Sequence, residues 1–428
     1  MEVRNDVNND PWGLGYKIVM RKLGTLASIP DLEESMMDNI VNSLFPDHEE
    51  RRDPERTFMD DPPFFTEYEL KAAARSLKNN KAPGPDGVPS EQRKGHPRDA
   101  ERIPSALYAR HIREIAGATA KTAHSRIHRI AAQRGNAYSK RIVLLAALDI
   151  RNAFNSLQWV DVINALARRF STPMYLMQMI RSYLSDRELL YHTRNGMKTK
   201  KISFGAAQGS VLGPDLWNAS YDEIFSIEMP DNVHLVGFAY DVAAVITARN
   251  MHEAQLKLQQ VVKRTMACMD DRGLKLATEK TELILLTKRQ IPLEIEMQVW
   301  DSTIKTSKVM KYLGIHLDSR MSYRAQINHA VEKPSKASAS LRKLMANVGG
   351  PTEGKRKLLM AVVNAVLLYG SEVLSNTLQI NQKRNALQKV PRTAALRVTS
   401  AYRTVYGAAV LVISSPMPID FLNEGEHI

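Results

Sequence analysis

Cysteine is almost missing from this 428-residue chain: Cys268 stands alone. A single thiol cannot build an intramolecular disulfide framework or a Cys-rich zinc knuckle, and the lack of disulfides fits a reducing compartment. Long apolar runs are missing too. The best candidate, Met360 to Tyr369, falls short of the roughly 18 residues that a membrane-spanning helix needs, so no membrane partner is expected. The opening residues, Met1 to Asp10, are polar and acidic, unlike a secretory signal peptide. No internal repeat or low-complexity tract is found.

Acidic residues are outnumbered by basic ones and unevenly placed. The formal net charge is +13 and the isoelectric point about 9.6, which favours a polyanionic partner, either nucleic acid or an anionic membrane surface. Residues 1 to about 62 are nevertheless acid-rich, with Glu33, Glu34, Asp38 and Asp47 close together. The excess of Lys and Arg belongs to the chain from Lys71 onward, a basic body behind an acidic arm. Hydrophobic residues at 44% and charged residues at 25% are near the globular average, so a folded chain of about two to four domains is expected.

Periodicity places the elements. One helix is expected from Asp31 to Leu44, then a Pro- and charge-rich linker from Pro46 to Pro63. Thr66 to Glu69 has the form of a capping box and opens a helix to about Lys78, which Lys81-Ala82-Pro83-Gly84-Pro85-Asp86-Gly87 cannot continue. Residues 91–120 are basic without a clear period, and Thr122 to Ala132 has helical spacing. Ile142 to Leu148 is a continuous apolar run of strand length ending on Asp149, and a helix is expected from about Ser156 to Phe170. Val233 to Ala244 reads as a strand, a tight turn and a second strand; Leu283 to Thr287 and Met310 to Leu317 are further strand candidates. Helical patterns dominate after about Ala325, and Pro334 and Pro391 should break or kink the helices they fall in. Mixed strands and helices before a helical end indicate an α/β fold with a helical appendage.

Three segments can carry chemistry. A buried strand that delivers Asp149 at its C-terminal end is a rigid way to hold a metal ligand, although Asp149 could equally open a turn, with Phe154 in the core. Phe204 to Pro214 sets three glycines around Gln208 and Ser210 before a helix start, which suits close backbone approach to an anion or simply a turn. Val236-Gly237-Phe238-Ala239-Tyr240-Asp241 puts an acidic residue at the tip of an apolar hairpin, where ordinary turn chemistry is the competing explanation.

In order and spacing these segments resemble motifs A, B and C of reverse transcriptases, and those of arthropod non-LTR (LINE-type) retrotransposons fit best, particularly the type-one elements that insert into ribosomal DNA. Other segments match in order: Asn9 to Arg21 resembles the stretch ahead of the fingers, and Lys81 to Gly87 a fingers motif. Gly273 to Glu282 resembles motif D, Lys311 to Ile315 motif E, and Ala394 to Val405 a segment beyond the thumb. The resemblance implies an α/β right-hand polymerase. An acidic arm and linker would cover residues 1–65, truncated fingers 66–121, a ferredoxin-like palm 122–320, and a helical thumb and post-thumb 321–428.

The resemblance also implies roles. Asp149, Asp241 and the backbone carbonyl of Ile150 would hold Mg²⁺ in a two-metal site. Phe154 would gate against a 2′-hydroxyl on the incoming nucleotide, while Gln208, Gly209 and Ser210 would lie against the nascent base pair. Lys280 would protonate the leaving pyrophosphate, though an exposed lysine at that place needs no function. The partners would be an RNA template and a DNA primer or target, within a larger element polyprotein and in an intracellular, nuclear setting.

Departures from the family pattern are as specific as the matches. Tyr240 replaces the aspartate that binds metal directly. A phenol with a pKa of about 10 is neutral at pH 7, whereas Mg²⁺ prefers hard anionic oxygen. Between Gly87 and Asp149 an Arg-Pro-containing motif and a Gly-Phe-Arg-x-Gly element are not found, and Ala207 stands where the family has proline. The expected function is therefore that of an RNA-directed DNA polymerase fragment, catalytically impaired in this copy. The alternatives are a non-catalytic nucleic-acid-binding relic and a decayed element product with no selected role.

Overall fold

The structure is a computed structural model. It describes residues 33–46, 126–127, 129–130, 141–193, 195–207, 210, 212–238, 241–287, 294–299, 301–346, 350–369, 374 and 380–414. Its centre is an antiparallel sheet of four strands in the order β5-β6-β1-β8. These are β1 (Ile142–Leu148), β5 (Val233–Phe238), β6 (Asp241–Ala248) and β8 (Glu282–Leu286). Alternate residues of β1 go to opposite faces, and both faces are buried. Leu144 and Leu148 join one apolar cluster, Val143 and Leu145 the other. That double burial is why β1 reads as a continuous apolar run rather than an alternation.

The first face is covered by four helices: α2 (Trp159–Arg168), α3 (Met174–Leu184), α4 (Gly213–Tyr221) and α5 (Met251–Asp270). Val162, Ile180, Leu216 and Leu258 bring their apolar sides to it, each at 1% exposure or less. The second face takes a hairpin, β11 (Val309–Tyr312) with β12 (Ile315–Asp318), and three helices. The helices are α6 (Arg324–Leu341), α7 (Glu353–Leu368) and α8 (Asn381–Val398); α9 (Gly407–Ser414) follows and packs on α8. Arg356, buried in α7, donates to the carbonyl oxygens of Ala346, Pro351 and Arg397. It thereby satisfies two acceptors in the connection between α6 and α7 and one in the last turn of α8.

Three expectations change here. Met310 to Leu317 is two strands, not one: Leu313 and Gly314 both take positive φ (44° and 79°), as a two-residue hairpin turn requires. The ring of Tyr369 occupies the place of a Gly314 Cβ, and its hydroxyl donates to the Leu313 carbonyl at 2.9 Å. Pro334 and Pro391 do not end their helices; α6 and α8 run through them with both prolines buried. Packing against the second apolar cluster offsets the hydrogen bond that each proline removes. The helix expected from Ser156 is preceded by a 3-10 turn, Ala153–Ser156, and begins at Trp159.

The remaining elements are short or peripheral. They include β2 (Ile150–Arg151) paired with β7 (Lys275–Leu276), and the hairpin β9 (Glu296–Val299) with β10 (Ser302–Lys305). A half-exposed hairpin of β3 (Glu188–Thr193) and β4 (Gly196–Lys201) stands apart from the main sheet and carries helix α1 (Glu34–Leu44). The capping box at Thr66 and the Lys81 to Gly87 turn lie outside the described residues, as does everything else from 47 to 125.

Candidate active site

Two neighbouring strands bring two carboxylates together at one end of the central sheet. Leu148, the last residue of β1, pairs with Val242 of β6, so Asp149 and Asp241 leave adjacent strands side by side. Asp149 is fixed through its backbone: its carbonyl accepts the Ala277 N–H at 2.8 Å, and Ile150 pairs with Leu276. Burial, followed by the nearby charge of Asp149, raises the pKa of the Asp241 carboxyl above the ordinary aspartate value. Two carboxylates set side by side at a partly buried place attract a cation.

Lys280 supplies one. It closes a 3-10 turn, Thr278–Lys280, after β7, and its Nζ lies 3.4 Å from an Asp149 carboxylate oxygen. The lysine is 65% exposed, so the pair is a loose, solvent-screened contact. The same turn is tied back by Glu279, whose carboxylate accepts from the Arg151 guanidinium at 2.5 Å. A backbone hydrogen bond first, then the bond from Arg151 and the adjacent cations, lowers the Glu279 pKa from its ordinary value.

Phe154 sits in the 3-10 turn that follows Asp149. Asn152 opens the turn in the left-handed region (φ 50°) and accepts a hydrogen bond from Asn155 through its side-chain oxygen at 2.9 Å. The carbonyls of Phe154 and Leu157 accept the Ala206 and Gly205 N–H groups, each at 2.7 Å, so the glycine-rich segment lies along this turn. Gly205 has φ +92°, a conformation that strains residues with a side chain, and a Cβ there would stand 3.2 Å from the Asn155 backbone. Ser210 caps the start of α4, its hydroxyl accepting the Gly213 N–H at 2.9 Å. Gln208, Gly209 and Tyr240 lie outside the described residues.

An aromatic ladder below these segments was not legible from the sequence. Phe154 and Trp217 have ring centroids 5.7 Å apart, Trp217 stacks on Tyr221 at 5.1 Å, and Tyr221 meets Phe225 edge-on at 5.5 Å. Phe225 then reaches β5, where its ring fills the space that a Gly237 Cβ would take. The ladder couples all three motif segments. Its one sequence signal is the spacing of Trp217, Tyr221 and Phe225, four residues apart and so on one side of a helical path.

Comparison with known proteins settles the family. A family described as reverse transcriptase (RNA-dependent DNA polymerase) matches residues 96–317, a little more than half of the chain. The chain belongs to the reverse transcriptase family. The match includes most of residues 92–120, which hold none of the motif segments named above. Among similar proteins, the probable RNA-directed DNA polymerase from transposon BS of Drosophila melanogaster is 25% identical over 275 residues, 61% of this chain and 30% of that protein. The putative 115 kDa protein in type-1 retrotransposable element R1DM of the same species is 23% identical, covering 66% of this chain and 27% of that protein. The Pol polyprotein of a type-1 retrotransposable element R1 from Nasonia vitripennis is 24% identical, covering 50% and 66%. The reverse transcriptase described here is thus related to those of non-LTR retrotransposons, including R1 elements of insects, and spans about a third or less of the first two relatives. A solved apo telomerase from Candida tropicalis is similar at 12% identity and a TM-score of 0.41, covering 76% of this chain and 60% of that one.

Reverse transcriptases use divalent metals, so the donor set can be tested against that need. Among the described residues no group of three or more His, Cys, Asp or Glu side chains is placed to hold a metal ion. Asp149 and Asp241 make two, and the neighbour of Asp241 in sequence is a neutral phenol rather than a third carboxylate. The described residues therefore bring two carboxylates, not three, to this end of the sheet, fewer hard anionic donors than a two-metal site calls for. Among the described residues no helix is long and apolar enough to cross a membrane.

Proposed function

We propose that this chain is the polymerase portion of a non-LTR retrotransposon reverse transcriptase, with nucleic-acid strands as its partners, and that DNA synthesis is impaired in this copy. One observation carries the reading: Asp149 and Asp241 end on adjacent strands, where the expected third carboxylate is replaced by Tyr240. Two further features support impairment. Burial, then the charge of Asp149, raises the pKa of Asp241, and the exposed Lys280 ammonium stands 3.4 Å from an Asp149 carboxylate oxygen. Asp149, the Ile150 carbonyl and Asp241 are the groups that would hold Mg²⁺. Phe154, Gln208, Gly209 and Ser210 are assigned to the nucleotide and template, and Lys280 to the leaving pyrophosphate. The domain division at residues 65, 121 and 320 belongs to the same reading.

Primer extension on an RNA template with a DNA primer and Mg²⁺ tests this directly. We expect incorporation near background. Robust synthesis by the unaltered chain, abolished in Asp149→Asn, would overturn the impairment. Tyr240→Asp alone is expected to restore little, because fingers motifs that would hold the triphosphate are not found in the sequence. The non-catalytic alternative, a protein that still binds RNA or hybrid duplex, draws on the net charge of +13; loss of all binding at low salt would remove it.

A further inference from the structure

The β3–β4 hairpin turns through Arg194 and Asn195, and Gly196 opens the returning strand opposite Thr193. Asn195-Gly196 is the only Asn-Gly pair in the sequence. Both residues are exposed. Gly196 takes φ +125°, and nothing lies within 4 Å of the place of a Cβ there. Glycine therefore leaves its backbone nitrogen without the shielding that a side chain would give.

The same asparagine is one of the contacts that hold α1. Its side-chain amide donates to one Glu34 carboxylate oxygen, and the other Glu34 oxygen meets Lys198 at 2.5 Å. Lys198 also reaches Asp38 at 2.9 Å. Two carboxylates thus face one ammonium, with the neutral amide donating beside them. Lys198, Glu34 and Asp38 are each about a third exposed, so salt weakens their contacts. Packing adds little, since Val41 is the residue of α1 that is buried.

We propose that Asn195 is a site of spontaneous deamidation, shielded while α1 is docked, and that its reaction makes the release of α1 a one-way step. The Gly196 backbone nitrogen gives its proton to hydroxide and attacks the Asn195 side-chain Cγ. A new C–N bond closes a five-membered succinimide as the Cγ–Nδ2 bond breaks, and the nitrogen departs as ammonia with a proton from water. Water then opens the ring at either carbonyl, leaving an aspartate or an isoaspartate. In sum one water enters and one ammonia leaves, with no change of oxidation state. Closure needs Cγ to swing onto the following nitrogen, and an amide tied to Glu34 is not free to swing. Reaction therefore follows detachment of α1. The product sets a third carboxylate against Glu34 and Asp38, and like charges oppose redocking. The bond from Asn152 to the Leu44 carbonyl is lost with the helix, which carries the change to the turn that holds Phe154.

Peptide mapping by mass spectrometry, on the full chain aged in warm and mildly alkaline buffer, tests the site. We expect Asn195 to convert ahead of the other asparagines of the described residues, and several-fold faster in high salt or in Lys198→Ala. A free peptide with the sequence of residues 188–201 should convert at a rate that salt leaves unchanged. Asn195→Gln, which would have to close a larger ring, should abolish the modification. If the full chain stays intact while the peptide converts, or the peptide itself stays intact, the site is overturned. Conversion of the full chain at one rate in low and high salt would overturn the shielding by α1. Asn195→Asp mimics the product, and amide exchange in α1 should quicken several-fold while exchange in the central sheet stays as it was. Unchanged exchange in α1 would overturn the one-way release.

Discussion

The central sheet and helix α1 both reach the neighbourhood of Asp149, but they are held by different forces. The sheet is apolar on both faces, and the strand that ends at Asp149 has Val143, Leu144, Leu145 and Ala146 fully buried. Helix α1 is attached through polar groups. Lys198 of β4 meets Glu34 at 2.5 Å and Asp38 at 2.9 Å, Tyr191 donates to Asp38 at 3.0 Å, and Lys200 to Asn42 at 2.6 Å. Its C-terminal carbonyl, Leu44, accepts from Asn152, three residues after Asp149. The apolar stripe Met36, Ile40 and Leu44 remains exposed. The site thus has one wall set by burial and another set by charge. Only the second should respond to salt.

The largest effect that would sharpen this contrast is on the buried side. Leu145→Ala empties a fully buried position and is expected to cost about 2–5 kcal/mol in denaturant unfolding; a loss near zero would break the claim that the sheet is held by packing. Next is Gly237→Ala. A Cβ there would lie 2.0 Å from the tip of the Phe225 ring, so the ring must shift, at about 1–3 kcal/mol. Double substitution with Phe225→Leu should recover part of that loss. Asp241→Asn is expected to act in the opposite direction. Its carboxyl has a raised folded pKa, so its contribution to stability is present below the unfolded pKa and is lost as pH rises through the folded value. The amide should therefore stabilise the fold at neutral pH, with the gain disappearing in acid; a pH-independent gain would point to packing instead. Smallest is Lys198→Ala, because solvent-screened ion pairs add little to global stability. Global stability should barely move, while amide exchange in α1 should quicken, as it should in high salt for the unaltered chain.

The contrast also explains what could be read from the sequence. Ile142–Leu148 and the β5–β6 hairpin were legible because double burial leaves apolar runs that few other structures tolerate. From these runs, the positions of Asp149 and Asp241 followed, and their pairing came from resemblance. The β3–β4 hairpin left no such mark, since Leu190 and Met197 are exposed while Lys198 and Tyr191 are half-buried, inverting the usual alternation. The β11–β12 turn was hidden because leucine seldom takes positive φ. Pro334 and Pro391 misled for a related reason: local propensity argued against helix, and tertiary packing overrode it. Ser210 and Gly205 were legible as a special segment, but their cap and close approach depend on partners distant in the chain.

The aromatic ladder from Phe154 through Trp217, Tyr221 and Phe225 to Gly237 has a consequence for how chains of this kind age. Its members keep the motif segments aligned, yet none of them is a residue assigned to bind metal or transfer a proton. Apart from Phe154, which is also assigned to the incoming nucleotide, selection on shape and selection on chemistry therefore fall on separate letters of the sequence. A lineage can lose a carboxylate at the hairpin in one step and go on being recognisable for as long as the rings stay in place. In collections of related genomic copies, the ladder should outlast the aspartates.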